Sequence, residues 1–284
     1  MGTSRGEDLA LAHRLADAAD AITLSRYQAI DLAVTTKPDN TPVTDADKSA
    51  EDAIRALLHA HRPDDGIVGE EFGNVGLEKN RYWVIDPIDG TKNFLRGVPT
   101  WATLIALMEK SGDGSEKVVV GVVSAPALFR RWYASKGGGA FLTLTNGTAN
   151  DGTANNGVPR QLKVSGVAKL EDASLSISTF ASPTTGNRND GWGALHPGLL
   201  TLAEKVWRTR AYGDFWSHLL VAEGAVDCAL EPKLALWDMA PLAIIVSEAG
   251  GQFTDFRGVA GPNGKNGVSS NGLLHNALLA HFPQ

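Results

Sequence analysis

The segment YWVIDPIDGTKNF, residues 82–94, places two acidic residues directly after an apolar run. Residues 82–85 have the apolar character of a buried strand, and Asp86 and Asp89 follow where that strand should end. A turn is one interpretation, because Asp, Pro and Gly in Asp-Pro-Ile-Asp-Gly occupy positions that turns favour. A metal site is the other, because carboxylate oxygens are the ligands that hard divalent cations prefer.

Two further apolar stretches also deliver acidic residues. Glu70 and Glu71 follow the apolar pair 67–68 in VGEEFG, and Asp238 lies in LALWDMA, where a helix is predicted to begin. Asp238 can act as a plain N-cap of that helix. Three apolar stretches that each deliver a carboxylate nevertheless favour a shared Mg²⁺ site, which requires several oxygen ligands.

Gly90 and Thr91 come directly after the two aspartates of the first segment. If a helix begins there, its unpaired N–H groups and its dipole suit a phosphate group. Metal ligands beside a phosphate-binding helix start favour transfer of a phosphoryl group to water. The chain has no Gly-x-Ser-x-Gly, Cys-x₅-Arg, Asp-x-Asp-x-Thr or His-Glu-x-x-His motif, so neither a phosphoenzyme nor a zinc site is predicted.

The composition predicts a globular chain that acts without nucleic acid or membrane. With 284 residues, 43% of them apolar, the chain can bury one large core or the cores of two close halves. A net charge of −6 without a Lys/Arg block disfavours nucleic acid as a partner. The chain has no long apolar run, no secretory h-region and a lone cysteine, Cys228, so a cytoplasmic location is expected.

Hydrophobic periodicity predicts a mixed α/β (α+β) fold. Helices are predicted at 8–27 and 45–60, and Thr44 with Asp47 resembles a capping box at the start of the second. The further predicted strands lie at 82–85, 102–108, 118–123, 131–134, 174–178, 206–210, 226–230, 252–254 and 267–270. The further predicted helices lie at 198–205, 214–223, 238–249 and 272–281.

Three glycine-rich or polar segments are predicted to be loops. Residues 137–139, Gly-Gly-Gly, are followed by no helix, so a hairpin turn is favoured over a phosphate-binding loop. The low-complexity segment 145–157 and the polar segment 182–193 are predicted surface loops. The first marks a seam between an N-terminal half, 1–158, with most metal ligands and the phosphate-binding helix start, and a C-terminal half, 159–284, with the substrate-selecting residues and the last metal-ligand aspartate.

Three motifs in order, GEEFG, WVIDPIDGTKNF and WDMAPLAIIVSEAGG, resemble the inositol-monophosphatase superfamily of Mg²⁺-dependent, lithium-sensitive phosphatases. The resemblance covers nearly the whole chain. The closer similarity is to its histidinol-phosphate phosphatase branch, and it is carried by TKPDNTPVTDADKSAE, DPIDGTKNFLRGVPTWA, GVVSAPALFRRW and RAYGDFWSHLLVAEGAVD. The resemblance implies a layered αβαβα sandwich of the inositol monophosphatase and fructose-1,6-bisphosphatase type, usually as a homodimer.

The same resemblance implies roles for individual residues. Two or three Mg²⁺ ions per active site, with Mn²⁺ as a possible substitute, would be bound by Glu70, Asp86, the carbonyl of Ile88, Asp89 and Asp238. The backbone N–H groups of Gly90 and Thr91 would hold the phosphate. Thr91 and Asp47 would orient the attacking water with help from Glu70, although Asp47 also keeps its interpretation as a capping acid.

The implied substrate is a small phosphomonoester, and the branch resemblance implies L-histidinol phosphate. The residues that would contact it are Ile88, Asp89, Gly90, Thr91, Arg210, Gly213, Asp214, Glu231 and Asp238. Two of these keep a structural alternative, because Asp214 can cap the helix at 214–223 and Arg210 can be a surface arginine.

Other functions remain open from the sequence. Within the same fold, the alternatives are an inositol-1-phosphate phosphatase and a phosphatase of adenosine 3′,5′-bisphosphate. From a different class, the alternative is an inactive scaffold that binds metal, which predicts a damaged ligand position. All five implied ligand positions are intact in this chain.

Overall fold

The computed structural model describes residues 4–145, 157–179 and 191–283. The helices in this part of the chain are α1 (Arg5–Arg26), α2 (Asp45–His61), α3 (Thr91–Leu95), α4 (His196–Lys205), α5 (Asp214–Ala222), α6 (Leu236–Glu248) and α7 (His275–Leu279). The strands are β1 (Val34–Thr36), β2 (Pro42–Thr44), β3 (Gly66–Gly69), β4 (Gly73–Val75), β5 (Arg81–Asp89), β6 (Ala102–Lys110), β7 (Glu116–Ala125), β8 (Arg130–Ser135), β9 (Gly139–Leu144), β10 (Arg160–Gln161), β11 (Ser174–Ile177), β12 (Arg208–Arg210), β13 (Cys228–Glu231), β14 (Gln252–Thr254) and β15 (Gly267–Ser270).

The two N-terminal helices each begin at a capping box, in which a side chain and a backbone N–H exchange hydrogen bonds. At α2 the carboxylate of Asp47 accepts the N–H of Thr44 at 2.8 Å, and the hydroxyl of Thr44 accepts the N–H of Asp47 at 3.4 Å. The capping box predicted from the sequence is therefore confirmed. At α1 the capping box is formed by Ser4 and Glu7, and this pair was not predicted from the sequence.

The first sheet has eight described strands in the order β10-β9-β8-β7-β6-β5-β3-β4. Within this sheet, β3 and β5 form the one parallel pair among the described strands, and the other pairs are antiparallel. Helices α1 and α2 cover one face of this sheet. Their apolar side chains form one buried cluster with alternate residues of the central strands. Members of this cluster are Leu11, Leu15, Ile54, Leu58, Trp83, Ile85, Ile105, Leu107 and Val122.

The second sheet has five strands in the order β12-β11-β13-β15-β14, with β11, β12 and β13 parallel. Side chains on both faces of β13 are buried, because successive residues of a strand point to opposite sides and each side of β13 packs against helices. Cys228 and Leu230 pack in the cluster that includes α4 and α7, whereas Ala229 packs against residues of α5.

Helices α5 and α6 lie between the two sheets. Their buried residues, including Phe215, Leu219, Leu242 and Ile245, form one core cluster with first-sheet residues such as Trp132 and with Phe253 of the second sheet. The layers therefore run α1 and α2, first sheet, α5 and α6, second sheet, α4 and α7. This confirms the αβαβα sandwich.

Several local predictions were wrong at helix ends. Helix α6 begins at Leu236, so Asp238 is its third residue and not a plain N-cap; its carboxylate accepts the N–H of Ala235 at 2.7 Å. Helix α5 is preceded by Gly213 and has no side-chain cap, so Asp214 is its first residue and not its cap. The last helix is shorter than predicted and covers α7 alone.

The hairpin turn predicted for the glycine segment 137–139 is confirmed, because this segment joins the antiparallel strands β8 and β9. Most of the predicted loops at 145–157 and 182–193 falls outside the described residues. The division between halves at 158 stays a prediction; β10 still pairs with β9 of the first sheet, and the second sheet begins at β11. None of the described helices combines the length and apolar character needed to cross a membrane.

Candidate active site

A cleft of about 730 Å³ opens between elements of the first sheet and elements of the second sheet. Its walls come from the end of β5, the start of α3, the turn after β3, the starts of α5 and α6, and the end of β13. The elements that the sequence predicted to end in acidic residues therefore converge on one cavity. This convergence makes the cleft the candidate active site.

Asp86 and Asp89 reach the same point because β5 contains a bulge. Two residues three apart on a regular strand point to opposite faces of the sheet. Here Asp86 lies opposite Leu104 and Asp89 opposite Ala102, so two residues of β5 face one residue of β6. The hydroxyl of Thr103, the single residue opposite the bulge, donates to a carbonyl within it at 2.8 Å. The extra residue turns both carboxylates toward the cleft.

Asp86, Asp89 and Asp238 form an acidic cluster. Each offers one carboxylate oxygen, and these three oxygens all lie within 4.8 Å of one another. Each carboxylate is also oriented by a backbone N–H. The donors are Ile88 to Asp86 at 3.0 Å, Phe215 to Asp89 at 2.9 Å and Ala235 to Asp238 at 2.7 Å.

The electrostatics of this cluster favour a bound cation. Burial raises the pKa of Asp86 and Asp89 well above the usual range, and the neighbouring carboxylates raise both further. Burial also raises the pKa of Asp238 to about 7. The residues that line the cleft include no histidine or cysteine in the described part of the chain, so the donors are oxygens. Such a donor set fits a hard divalent cation.

Glu70 lies beside the cluster and contacts a lysine. It follows β3, and its N–H donates to the carbonyl of Ile85 at 3.2 Å. The ammonium of Lys37 lies 2.8 Å from Glu70 and 2.6 Å from Glu71. Burial opposes the charge of Lys37, but its hydrogen bonds to both glutamates outweigh burial and raise the pKa of the ammonium. Lys37 follows β1 in the β1–β2 hairpin, and its sequence neighbourhood gave no signal for this contact.

The side chains of Thr91 and Asp47 lie close together beside the cleft. The hydroxyl of Thr91 lies 3.4 Å from Oδ1 of Asp47 and 3.1 Å from the carbonyl of Ile88, and it can donate to either. The other oxygen of Asp47 accepts the hydroxyl of Thr44 at 2.5 Å. Burial raises the pKa of Asp47, and the charge of Glu70 adds to the effect. Asp47 therefore caps α2 and faces Thr91 at the same time.

Gly90 occupies a position that other residues fit poorly. Its φ of 83° lies in the left-handed region, and a Cβ there would approach the carbonyl of Thr100 to 2.9 Å. Helix α3 begins at the next residue, Thr91. The first N–H groups of a helix have no partner within the helix, so this start presents donors to the cleft.

Two more acids, Asp214 and Glu231, line the cleft beside the acidic cluster. Asp214 accepts a hydrogen bond from the amide of Asn93 at 2.9 Å, and burial raises the pKa of its carboxyl group. Glu231 ends β13 and accepts the hydroxyl of Ser178. Burial raises the pKa of Glu231 well above its usual range, and the charge of Asp214 raises it further.

The other predicted site residues are placed differently. Gly213 lines the cleft directly before Asp214. Arg210 is exposed, donates to the carbonyl of Thr209 at 2.8 Å and does not line the cleft. Lys92 and Lys233 do line it, although the sequence reading did not select them. Single lysines in loops and short helices carry no sequence pattern, so only the tertiary structure reveals them.

Comparison with known proteins identifies the family. The chain matches the inositol monophosphatase family over residues 5–284. A protein named histidinol-phosphatase in Streptomyces coelicolor is 52% identical over 278 residues, which cover 98% of this chain and 97% of that protein. A protein of the same name in Mycobacterium tuberculosis is 52% identical over 280 residues, 97% of this chain and 98% of that protein.

A solved structure, an IMPase from Thermotoga maritima, has the same fold. It superimposes with a TM-score of 0.78 at 30% sequence identity and covers 97% of this chain and 96% of its own. This chain belongs to the inositol monophosphatase family.

Proposed function

We propose that this protein is a Mg²⁺-dependent phosphomonoesterase that hydrolyses L-histidinol phosphate to L-histidinol and phosphate. The observation that carries the proposal is a single cleft at which the acidic cluster lies together with two further acids, Asp214 and Glu231. The name of the two relatives at 52% identity supports the same substrate.

The proposed metal site consists of the carboxylates of Glu70, Asp86, Asp89 and Asp238 and the carbonyl of Ile88. Bound Mg²⁺ supplies charge neutralisation at the phosphate and lowers the pKa of a coordinated water. Mn²⁺ has the same preference for oxygen ligands and is expected to substitute. The fit rests on three oxygens within 4.8 Å of one another in a cluster whose mutual repulsion a cation would relieve.

The start of α3 is proposed to hold the transferred phosphoryl group. The N–H groups of Gly90 and Thr91 would donate to the phosphate oxygens, and the positive end of the helix backbone favours their negative charge. The missing side chain of Gly90 lets the phosphate approach the backbone.

The pair of Thr91 and Asp47 is proposed to orient the attacking water. When the Thr91 hydroxyl donates to Asp47, its oxygen is left to accept a proton of the water, so a water lone pair faces phosphorus. Glu70 lies on the same side and would accept the second water proton. The water oxygen then forms a bond to phosphorus as the bond from phosphorus to the ester oxygen breaks. One water proton stays on the released phosphate, the other passes by way of Glu70 to solvent, and the ester oxygen takes a proton from solvent as the alcohol leaves. The protein supplies no nucleophile.

Asp214 and Glu231 are proposed to recognise the leaving group. Burial penalises the charges of Asp214 and Glu231 and the two charges repel, and Lys92 offsets part of the charge of Asp214, so a cationic leaving group would stabilise the pair. L-Histidinol phosphate offers an ammonium group and an imidazole that can be charged. A neutral polyol such as inositol offers no such charge. Arg210 does not enter this proposal, because it lies outside the lining of the cleft.

A substrate panel with released phosphate as the readout tests the proposal. L-Histidinol phosphate should give the highest kcat/KM, ahead of inositol 1-phosphate, adenosine 3′,5′-bisphosphate and an aryl phosphate, and excess EDTA should stop the reaction. A preference for inositol 1-phosphate or the nucleotide would assign one of the alternative activities. No phosphate release from any monoester with Mg²⁺ present would favour the scaffold.

We further propose that the protein acts as a homodimer. Leu24 and Phe129 are about half exposed at 48% and 51%, and they line an apolar hollow of about 450 Å³ together with Pro99 and Pro126. Exposed apolar patches of this kind are typical of protein interfaces. Phe129→Asp should yield monomers in sedimentation experiments, and Asp tolerates the left-handed φ of 56° at this position better than most residues. A monomeric wild-type protein would end this proposal.

A cytoplasmic location is proposed on the basis of cysteine usage. Cys228 is the single cysteine of the sequence, and it is buried and reduced in the second sheet. Proteins of oxidising compartments commonly use paired cysteines. Cell fractionation with an antibody to the protein tests the location, and recovery outside the cytoplasmic fraction would contradict it.

A further inference from the structure

Glu51 is a buried acid outside the cleft that no step above uses. It lies on α2 with 0% exposure, and its carboxylate accepts three hydrogen bonds. One oxygen accepts the N–H of Glu71 at 2.8 Å. The other accepts the N–H of Phe72 at 3.2 Å and the guanidinium of Arg55 at 2.7 Å. Two of the three donors thus belong to the turn that directly follows Glu70.

The turn between β3 and β4 is built around this carboxylate. A Cβ at Gly69 would come within 2.0 Å of Glu51 Oε1, so the absence of a side chain at Gly69 creates the space for Glu51. Arg55, the ion-pair partner of Glu51, also donates to the carbonyl of Gly73. The turn and the first residue of β4 are therefore tied to α2 through one ion pair.

Other contacts of the turn are the ammonium of Lys37 on Glu70 and Glu71 and the pairing of β3 with β5. Strand β4 on the other side is three residues long and exposed along its length. Phe72, at the tip, is 46% exposed. A short exposed edge strand of this kind has low local stability unless it is anchored elsewhere. The anchor at Glu71 and Phe72 lies one residue from Glu70, which must hold a fixed position to bind a metal ion.

We propose that Glu51 is a positioning residue that holds Glu70 in its metal-binding orientation by clamping the backbone of residues 71 and 72. This inference rests on the proposed function, in which Glu70 is a metal ligand. Glu51 lies one helical turn after Asp47, so both point from the same face of α2. One face of one helix then places the residue that orients the water and the residue that fixes a metal ligand.

The variant Glu51→Gln tests the clamp. The amide keeps the size of the side chain, but its NH₂ group cannot accept an N–H, so one backbone anchor and the ion pair with Arg55 are lost. Loss of a residue that orients a metal ligand typically weakens metal binding 10- to 100-fold. The Kd for Mn²⁺, measured by electron paramagnetic resonance of the free ion without substrate, should therefore rise by about 10- to 100-fold. The Mg²⁺ concentration for half-maximal activity should rise in parallel.

A matched control is Asp8→Asn, because it also removes a buried charge paired with arginines. Asp8 is 1% exposed and lies 3.1 Å from Arg62 and 2.8 Å from Arg81, away from the turn. This control should lower the Tm and leave the Kd for Mn²⁺ unchanged. If Glu51→Gln lowers the Tm but keeps the wild-type Kd, Glu51 has a structural role only and the inference is wrong.

A measurement on the wild type keeps the test open if the variant does not fold. The backbone amides of Glu71 and Phe72 should exchange hydrogen slowly in the metal-free protein, because Glu51 accepts both. Exchange at the rate of an unstructured peptide would overturn the inference. Failure of the proposed function gives a different result: the wild type would release no phosphate, while the Mn²⁺ comparison of the two variants would still report on the clamp.

Discussion

The cleft has two groups of acids, which we name the metal end (Asp86, Asp89 and Asp238) and the selecting end (Asp214 and Glu231). The structure holds the two groups in different ways. At the metal end, Asp86, Asp89 and Asp238 each accept a backbone N–H. At the selecting end, Asp214 and Glu231 accept from side chains, those of Asn93 and Ser178. Any residue except proline supplies a backbone N–H, so the orientation at the metal end tolerates substitution of the donor residues. A side-chain donor is lost with a single mutation. We therefore expect the selecting end to be the part of the site where substrate preference can change while the reaction stays the same.

The two ends are also coupled through α5. Its first residue, Asp214, belongs to the selecting end, and the N–H of the next residue, Phe215, donates to the metal-end carboxylate of Asp89. The cleft is complete only when the helix from the C-terminal half packs against the end of β5. Variants at each end should therefore separate catalysis from selection, while variants of the buried apolar residues of α5 should affect both through stability.

The largest effect is expected at the metal end. Asp89→Asn removes a charge that the proposed metal requires but can still accept the N–H of Phe215. Loss of one such electrostatic interaction should lower kcat by about 10²- to 10³-fold on every substrate. Phosphate release at saturating Mg²⁺ measures it. The Tm without metal should not fall, because the variant relieves repulsion within the cluster. A wild-type rate would remove Asp89 from the metal site.

Thr91→Ala should affect catalysis without affecting binding. The hydroxyl is assigned to the attacking water, whereas the backbone N–H that contacts phosphate remains. We expect kcat to fall by about 10²-fold with KM nearly unchanged, as for loss of an interaction made mainly in the transition state. Steady-state kinetics with L-histidinol phosphate separate the two constants. A normal kcat with a raised KM would place the hydroxyl among the binding groups instead.

Asp214→Asn should alter selection alone. The φ of 46° at this position suits Asn as well as Asp, so the backbone should be unstrained. Loss of one charge-assisted hydrogen bond, about 1.5–3 kcal/mol, should lower kcat/KM for L-histidinol phosphate tenfold or more. Inositol 1-phosphate and an aryl phosphate serve as controls and should change little. Equal losses on all three substrates would mean that Asp214 supports the cleft and does not select the substrate.

The smallest effect concerns the stability of α5. His218 is buried, burial lowers the pKa of its imidazole to about 4, and only its Nδ1 has a hydrogen-bond partner, Ser269 at 2.6 Å. The unfolded chain takes up this proton below about pH 6.5, whereas the folded chain does so only near pH 4. The free energy of unfolding should therefore fall as the pH decreases through this window, by roughly 1 kcal/mol between pH 7.5 and pH 6 for this group.

Urea unfolding at pH 7.5 and pH 6.0 measures this loss, and His218→Gln is the reference. Gln stays neutral at both pH values and can still bond to Ser269. The wild type should lose roughly 1 kcal/mol more than the variant over this range. Equal pH dependence in both proteins would show that His218 is protonated in the folded state or exposed to water.

Much of the fold could be predicted from periodicity and composition. The helices at 8–27 and 45–60 and the strands at 82–85, 102–108 and 118–123 lie where apolar spacing indicated them, within a few residues. Helix ends were less predictable. Asp238 and Asp214 have the residue type of N-caps, but capping depends on where the backbone leaves the helix, and packing of α5 and α6 between the sheets decides that.

The sequence by itself determined which residues are candidates for the chemistry. Acids directly after apolar runs, followed by Gly90 and Thr91, pointed to a metal-assisted phosphatase because local order places these groups at the ends of strands and helices. Only the tertiary structure decided how they meet. The bulge between Asp86 and Asp89, the contact of Lys37 with Glu70, and the clamp of Glu51 on the next turn join residues that local patterns do not connect. Such contacts depend on packing between distant elements, and the spacing of residues along the chain does not encode them individually.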